Sequence, residues 1–180
     1  MRHSVMGVAL LGFGLILASP LARAAEGDLK VGDKAPAFKL EGTDGKMYSL
    51  DQFKGKSAVV LAWFPKADTP GCTLECKSLR EHGDALKPLK VAYFTASVDP
   101  VAANKKFAEK LGLDYPILSD PDSNVAKAYG VVHGERKFAE RWTFYIDKEG
   151  IIKGIDKKVD FKTAGLDVAG KIKELGLNGQ

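Results

Sequence analysis

The stretch Ala58–Thr73, "AVVLAWFPKADTPGCT", determines how the rest of the chain can be arranged. Its first seven residues are continuously apolar, which is typical of a β-strand buried on both faces of a sheet. Thr69 suits the N-cap of a helix and Pro70 its first position, so a helix is predicted over 70–86. A buried strand followed by a helix indicates an α/β fold and puts Cys72 in the first helical turn.

The sequence on either side continues the alternation of strands and helices. Upstream, Asp44 and Gly45 form a turn signal between two short alternating stretches and predict an N-terminal β-hairpin. Downstream, the apolar run Val91–Val98 predicts a second buried strand, followed by Asp99 as the N-cap of a helix and Pro100 as its first residue. The hairpin precedes these units and is predicted as an N-terminal extension of the fold.

The remainder of the chain follows the same pattern and ends in a helix. Ala103, Phe107 and Leu111 recur every four residues and are predicted to line one buried helix face. Further elements are expected as a strand over 115–118, a helix over 124–129, a hairpin turning at 148–150, and a closing helix marked by Val168, Ile172 and Leu175. Strands alternating with helices, followed by a late hairpin, predict an α/β sandwich with a mixed sheet flanked by helices.

The first residues have the build of a secretory signal peptide. A short basic start precedes the apolar run Val5–Ala18, and Ala22 and Ala24 supply the small residues that a signal peptidase needs. The run has 14 residues, whereas a helix that spans a bilayer requires about 20, so cleavage is favoured over a permanent membrane anchor. The sequence therefore predicts a signal peptide over 1–24 and a single exported, periplasmic domain over 25–180.

The charge of the chain argues against two classes of partner. The formal net charge is +4 and falls to +2 when Arg2 and Arg23 are removed with the leader. So small an excess, carried by scattered lysines, gives no indication of nucleic acid or of a membrane surface as a partner.

Cys72 and Cys76 are the only cysteines of the chain, and the pair allows three interpretations. A disulfide over so short a loop would contribute only about 2 kcal/mol in the loop-entropy model, which makes it a poor structural crosslink. Two thiols could also hold a soft metal ion, or they could react. Reaction requires a thiolate, which the unpaired N–H groups and the dipole of a first helical turn would favour at Cys72.

The helix turn alone is too weak to activate a cysteine at this position. Lowering a thiol pKa from about 8.5 to about 6 takes about 3.4 kcal/mol, whereas a helix terminus supplies about 2 kcal/mol at most. The site therefore needs a fixed cation nearby. An arginine suits it best, because a guanidinium stays protonated and offers several donors.

The stretch "FPKADTPGCT" carries the Pro-x-x-x-Thr-x-x-Cys signature of peroxiredoxins, with Pro65, Thr69 and Cys72 in the three places. The resemblance extends upstream through "GDKAPAFKL" and "GKSAVVLAWF" and downstream through "RWTFYIDKEG". The "TPGCT" form is most similar to the bacterioferritin comigratory protein or peroxiredoxin Q branch. The resemblance implies a thioredoxin-like fold and a thiol-dependent peroxidase that reduces hydrogen peroxide and organic hydroperoxides without a metal or organic cofactor.

The same resemblance implies a role for each residue of the signature. Cys72 would be the peroxidatic cysteine, which attacks the peroxide and becomes a sulfenic acid. The Thr69 hydroxyl would bind the thiolate and the peroxide, and Pro65 would shield the site from water. Arg141, just before the "WTFYID" segment, would be the required cation and would stabilise the breaking O–O bond.

The second cysteine departs from the usual pattern of the branch, in which it often follows the first by five residues. Lys77 occupies that place here, and Cys76 precedes it. Residues four apart on an α-helix have Cβ atoms about 6 Å apart, whereas a disulfide requires about 3.8 Å. Cys76 is therefore predicted to resolve the sulfenic acid after the first turn unwinds, with a thioredoxin-like dithiol reducing the resulting disulfide.

Two other functions remain open at this point. Exported copper-binding chaperones of the Sco type also combine a thioredoxin-like fold with Cys-x-x-x-Cys. They place a histidine shortly before the strand where this chain has Arg141, and His133 lies nearby in a different context. Thiol–disulfide exchange proteins usually carry Cys-x-x-Cys instead. The protein is expected to act as a monomer or weak dimer without a stable membrane anchor.

Overall fold

The computed structural model describes residues 28–179, so the predicted signal peptide lies outside the described range. The helices and strands in chain order are β1 (Lys39–Gly42), β2 (Met47–Ser49), β3 (Val59–Trp63), α1 (Pro70–Glu81), α2 (Gly83–Leu86), β4 (Ala92–Ser97), α3 (Val101–Leu111), β5 (Ile117–Ser119), α4 (Asn124–Ala128), β6 (Thr143–Ile146), β7 (Ile152–Asp156) and α5 (Ala164–Glu174). Short 3-10 helices lie at Leu50–Gln52 and Lys87–Leu89. Among residues 28–179, no helix has the length and apolar character needed to cross a bilayer.

Seven strands form one mixed sheet in the order β2-β1-β5-β4-β3-β6-β7. β3 pairs in parallel with β4 and antiparallel with β6, and β4 pairs in parallel with β5. β1 and β2 form an antiparallel hairpin whose turn contains Gly45 at φ +77°, a conformation that favours glycine. The hairpin joins the sheet through β5. The predicted mixed sheet with an N-terminal hairpin extension is confirmed.

β3 is the central strand because all five of its residues are apolar and buried. Leu61 and Trp63 point to the face covered by α4, and Val60 points to the opposite face, covered by α1, α2 and α5. Burial of apolar surface on both faces stabilises the strand by about 25 cal/mol per Å². The carboxyl end of β3, where the loop to α1 begins, is therefore held firmly in place.

The helix predicted over 70–86 is interrupted at His82. His82 has φ −102° and ψ 18°, outside the helical region, and divides the segment into α1 and α2. Its ring nitrogen Nδ1 lies 2.8 Å from the carbonyl oxygen of Ser78, which also accepts a hydrogen bond from the His82 backbone N–H. Gly83 follows directly and is the weakest helix former after proline, so the break falls where helix propensity is lowest.

The predicted start of α3 is wrong by one residue, and one predicted core position is exposed. Pro100 is the N-cap rather than the first helical residue, and the Asp99 carboxylate binds the backbone N–H of Ala67 at 2.8 Å instead of capping the helix. Ala103 is exposed, and the neighbouring Asn104 is buried in its stead. Hydrogen bonds explain this burial, because the Asn104 side-chain amide donates to serine hydroxyls on both β4 and β5.

α5 approaches α1 very closely at Gly165. The Gly165 backbone N–H donates to the Ser78 hydroxyl at 3.0 Å, and a Cβ atom at this position would clash with the Ser78 backbone oxygen and the His82 ring. Gly170, on the same helix, has open space around it. The two glycines therefore provide a matched pair for testing the packing of α5 on α1.

Gly165→Ala is expected to destabilise the protein by about 1–3 kcal/mol, because the new methyl group overpacks a buried backbone contact. Gly170→Ala is expected to stabilise it by up to about 1 kcal/mol, because alanine is the better helix former and nothing opposes its side chain. Urea unfolding followed by circular dichroism measures both changes. Equal effects of the two substitutions would show that α5 does not contact α1 in this way.

Candidate active site

Cys72 lies in the first turn of α1, as predicted. Thr69 is the N-cap residue and Pro70 opens the helix, and the Cys72 side chain is 1% exposed. The Thr69 side chain makes no capping hydrogen bond, because its hydroxyl donates to the carbonyl oxygen of Lys66 at 3.0 Å. The backbone N–H groups at the start of α1 therefore remain without a side-chain cap and favour a negative charge beside them.

Backbone pairing between β3 and β6 brings Arg141 to Cys72 across 69 residues of sequence. The N–H of Trp63, the last residue of β3, donates to the carbonyl oxygen of Trp142 at 2.8 Å, which places Arg141 beside the carboxyl end of β3. From there Nη2 of Arg141 lies 3.3 Å from Sγ of Cys72. The arginine predicted to supply a cation beside Cys72 is thus in hydrogen-bonding contact with the sulfur.

Glu75 forms the second contact of Arg141. The Glu75 carboxylate is 1% exposed and accepts a hydrogen bond from Nη1 of Arg141 in a buried ion pair. Glu75 follows Cys72 by three residues, so both side chains lie on the same face of α1. Burial raises the pKa of Glu75 to about 7, although the positive charge of Arg141 lowers it.

Gly71 and Phe161 complete the surroundings of the guanidinium. A Cβ atom on Gly71 would lie 3.2 Å from Nη2 of Arg141, so the absence of a side chain leaves room for the arginine. The Phe161 ring, in the loop between β7 and α5, lies 5.5 Å from the guanidinium carbon of Arg141 and covers it in a cation–π contact. The Arg141 side chain is 19% exposed.

The loop from β3 to α1 is held by Asp99, which lies two residues after the end of β4. Pro65 is half-buried at the start of this loop. Near the loop's centre, the Asp99 carboxylate accepts hydrogen bonds from the Ala67 N–H at 2.8 Å and from the Ser97 hydroxyl at 3.0 Å. Asp68 has the uncommon φ of +61° and pairs with Lys110 of α3. These contacts fix the path of the chain into the helix that carries Cys72.

Cys76 lies one helical turn beyond Cys72, and both cysteines are free thiols. Cys76 is fully buried, and desolvation, followed by the nearby Glu75 carboxylate, raises the pKa of its thiol. Within the intact turn the thiol is therefore protonated and shielded from solvent.

Comparison with known proteins identifies the family of the chain. Residues 31–155 match the model of the AhpC/TSA family. The chain belongs to the AhpC/TSA family. A Coxiella burnetii protein named as a peroxiredoxin of the bcp type is 39% identical over 150 residues, which cover 80% of this chain and 99% of the relative. Peroxiredoxin Bcp of Escherichia coli is 38% identical over 143 residues, which cover 76% of this chain and 89% of the relative.

Solved structures support the same assignment. Peroxidoxin BcpB of Mycobacterium tuberculosis is 29% identical, with a TM-score of 0.74 over 81% of this chain and 97% of its own. A peroxiredoxin Q variant of Xylella fastidiosa is 22% identical, with a TM-score of 0.76 over 83% of this chain and 99% of its own. At this identity the similarity supports the fold. The predicted thioredoxin-like fold and the recognition of a peroxiredoxin enzyme of the bacterioferritin comigratory protein or peroxiredoxin Q branch are confirmed.

These relatives give no support to the copper-chaperone alternative. Across the described range 28–179, no group of three or more histidine, cysteine, aspartate or glutamate side chains is arranged to hold a metal ion. His133 is exposed and contacts the Trp142 ring edge-on. The Arg141 guanidinium beside Cys72 would also repel a copper cation.

Three residues of this peroxiredoxin site are absent from the prediction made on sequence. Glu75 could be found from the sequence, because it follows Cys72 by three residues on a predicted helix and therefore lies on the same helix face. Gly71 has a weaker sequence signal, which is its place directly before the cysteine in "TPGCT". Phe161 has no sequence signal, because its position depends on how the loop after β7 folds over Arg141.

The pKa of Glu75 makes a prediction about stability. Between its ordinary value of 4.5 and its value of about 7 in the protein, the folded state keeps a proton that the unfolded chain has released. The contribution of Glu75 to the free energy of unfolding is therefore fully present below pH 4.5 and is lost as the pH rises through about 7. Glu75→Gln removes the titration, so we expect the wild type to lose stability relative to this variant as the pH rises.

Urea unfolding at several pH values across this window measures the difference. Glu109→Gln, at an exposed position of α3, is the control and should follow the wild-type profile. Parallel profiles for the wild type and Glu75→Gln would contradict a raised pKa at Glu75.

Proposed function

We propose that this protein is a thiol-dependent peroxidase in which Cys72 reduces hydrogen peroxide and organic hydroperoxides. The observation that carries the proposal is the contact of 3.3 Å between Nη2 of Arg141 and Sγ of Cys72 at the start of α1. A guanidinium and a helix N-terminus both favour a thiolate, which is the nucleophilic form of cysteine. Family membership supports the reaction class, and the geometry supports the choice of Cys72 and Arg141.

The first step transfers one oxygen atom from the peroxide to sulfur. The Cys72 thiolate attacks the terminal oxygen, the O–O bond breaks, and the departing oxygen takes up a proton and leaves as water or an alcohol. Cys72 is oxidised to a sulfenic acid and the peroxide is reduced. Arg141 donates hydrogen bonds to the thiolate before the step and to the oxygens that gain charge during it, which is the usual way in which fixed donors lower a barrier.

Pro65 and Thr69 complete this step in the proposal. The single hydroxyl proton of Thr69 is engaged by the Lys66 carbonyl. The oxygen retains lone pairs, with which it accepts a hydrogen bond from the peroxide O–H and orients it. Pro65 lines the entry loop and, lacking a backbone N–H, offers no donor that would hold water there.

The second step forms a disulfide and the third reduces it. The Cys76 thiol attacks the Cys72 sulfenic acid, an S–S bond forms, and the hydroxyl leaves as water with the thiol proton. A dithiol reductant of the thioredoxin type then reduces the disulfide through exchange and becomes oxidised itself. We propose that the enzyme does this as a monomer or weak dimer, with no cofactor and no partner beyond peroxide and reductant.

Arg141→Ala is expected to slow oxidation of Cys72 by hydrogen peroxide by about 100-fold or more, the effect of removing a donor to developing charge. Arg141→Lys should restore only part of the rate, because an ammonium group cannot hold thiolate and peroxide together as a guanidinium can. Stopped-flow tryptophan fluorescence measures the rate.

Arg136→Ala is the matched control for this measurement. Arg136 lies in the same loop, is exposed and pairs with Glu140 rather than with Cys72. It should react at the wild-type rate. Wild-type rates in Arg141→Ala would remove this residue from the mechanism.

Cys76→Ser is expected to keep the first reaction with peroxide, because Cys72 and Arg141 are untouched. It should lose the intramolecular disulfide, accumulate the sulfenic acid and over-oxidise more readily. Turnover with a thioredoxin-type reductant should fall sharply, and peptide mapping of the oxidised wild type should find Cys72 linked to Cys76. Undiminished turnover in Cys76→Ser would mean that an external thiol resolves the sulfenic acid.

Export of the enzyme to the periplasm is a separate proposal, supported by the apolar run Val5–Ala18 and the small residues at Ala22 and Ala24. The mature protein is expected to begin at Ala25. Mass spectrometry of protein purified from its native host measures the N-terminus. A chain that retains Met1 would show that the leader is kept and would favour a membrane-tethered enzyme.

A further inference from the structure

The buried side of α1 holds Cys76 between two hydroxyl groups of the sheet region. Tyr115, just before β5, is buried, and its hydroxyl donates to the backbone carbonyl oxygen of Cys76 at 2.9 Å. Thr95, on β4, is fully buried, and within residues 28–179 its hydroxyl has no partner in standard hydrogen-bond geometry. Burial raises the pKa of the Cys76 thiol.

The Tyr115 hydrogen bond is an addition to the ordinary pattern of a helix. A helical carbonyl has two lone pairs, and one of them normally accepts the N–H four residues further on. At Cys76, the second accepts the Tyr115 hydroxyl. Desolvation keeps the pKa of Tyr115 well above its ordinary value, so this hydroxyl remains a donor. The bond ties the backbone of α1, rather than a side chain, to the segment that leads into β5.

Formation of the Cys72–Cys76 disulfide acts on the segment that this bond holds. The Cβ atoms of residues four apart on a regular helix are about 6 Å apart, and a disulfide needs about 3.8 Å. The segment between the two cysteines must therefore leave the helical conformation, and Cys76, at the end of that segment, is the residue bound to Tyr115. Until the segment does so, the Cys76 thiol is protonated, buried and out of reach of the sulfenic acid.

We propose that Tyr115 is a positioning residue whose hydrogen bond to the Cys76 carbonyl holds the first turns of α1 closed and thereby sets the rate of the resolving step. The proposal rests on the resolving role proposed above for Cys76. Tyr115 does not contact Cys72 in any hydrogen bond of the described residues, so it acts on the second step of the reaction and leaves the first one unchanged.

A slower resolving step exposes Cys72 to a competing reaction. While the sulfenic acid persists, a second peroxide molecule can transfer an oxygen to it, giving a sulfinic acid and another molecule of water or alcohol. The disulfide and the sulfinic acid arise from the same intermediate. The Tyr115 hydrogen bond therefore determines how the sulfenic acid divides between the disulfide, which a dithiol reduces, and the sulfinic acid, which a dithiol does not reduce.

Tyr115→Phe tests the proposal, because it removes the hydroxyl and keeps the ring. Tyr93→Phe is the matched control: the Tyr93 ring packs against Tyr115 with centroids 5.3 Å apart, and it belongs to the same apolar cluster. Both variants are compared with the reduced wild type in stopped-flow oxidation by hydrogen peroxide. Mass spectrometry of quenched samples then counts disulfide and sulfinic acid across a series of peroxide concentrations.

Tyr115→Phe is expected to form the disulfide about fivefold faster, the factor that corresponds to one net hydrogen bond. The peroxide concentration that converts half of the enzyme to sulfinic acid should rise by the same factor, while oxidation of Cys72 keeps its rate. Tyr93→Phe should match the wild type in all three quantities. A general loss of structure would instead slow the first step and lower the melting temperature.

Two results would overturn the proposal, and they are distinguishable. If the wild type forms the disulfide and Tyr115→Phe forms it at the same rate, the hydrogen bond does not control the helix, although Cys76 still resolves. If the wild type forms no Cys72–Cys76 disulfide at all, the resolving role of Cys76 fails and the positioning role of Tyr115 fails with it.

Discussion

The Arg141 guanidinium is shared by the Cys72 sulfur and the buried Glu75 carboxylate, which lie three residues apart on one face of α1. One cation thus faces two groups that can carry negative charge. A buried carboxylate without this partner would be strongly destabilising, and a thiolate without it would lack its main stabilising charge. The stability of the α1 N-terminus and the reactivity proposed for Cys72 therefore involve the same side chain, which the Glu75 carboxylate binds from its other side.

The sheet makes this contact possible. Arg141 is far from Cys72 in sequence, and the antiparallel pairing of β6 with the fully buried β3 brings them together. The loop between β3 and α1 starts at the same end of β3 and is held by Asp99, just after β4. The site thus lies at one end of three adjacent strands, β4, β3 and β6. Backbone pairing in the sheet fixes the positions from which its side chains extend.

Much of this arrangement could be predicted from the sequence, for reasons that individual residues make clear. Continuous apolar runs predicted β3 and β4, and glycine turns predicted both hairpins, because these signals are local. The need of a thiolate for a cation, together with the family signature, led to Arg141. The start of α3 differs from the prediction because Asp99 binds the Ala67 N–H, a long-range bond that competes with capping. The burial of Asn104 is not predictable from helix periodicity, because it depends on hydrogen bonds from its side chain to serines of β4 and β5.

The break at His82 has only a weak signal in the sequence, which is Gly83 directly after it. The close approach of Gly165 to His82 adds a contact with α5 that the local sequence does not show. The Phe161 contact has no signal at all, because Phe161 lies in a loop whose sequence has no regular pattern. Its interaction with Arg141 joins segments distant in the chain, and a pattern along the sequence does not reveal it.

The close packing of Gly165 on Ser78 has a consequence for the proposed mechanism. It fixes the later turns of α1 to α5, so that unwinding for the proposed disulfide would be confined to the turns before Ser78. Starting a helix is unfavourable, whereas adding a residue to an existing one is not. Once a reductant opened the disulfide, the fixed turns would serve as a nucleus from which the first turn grows back, and the surroundings of Cys72 would re-form by propagation within a single helix.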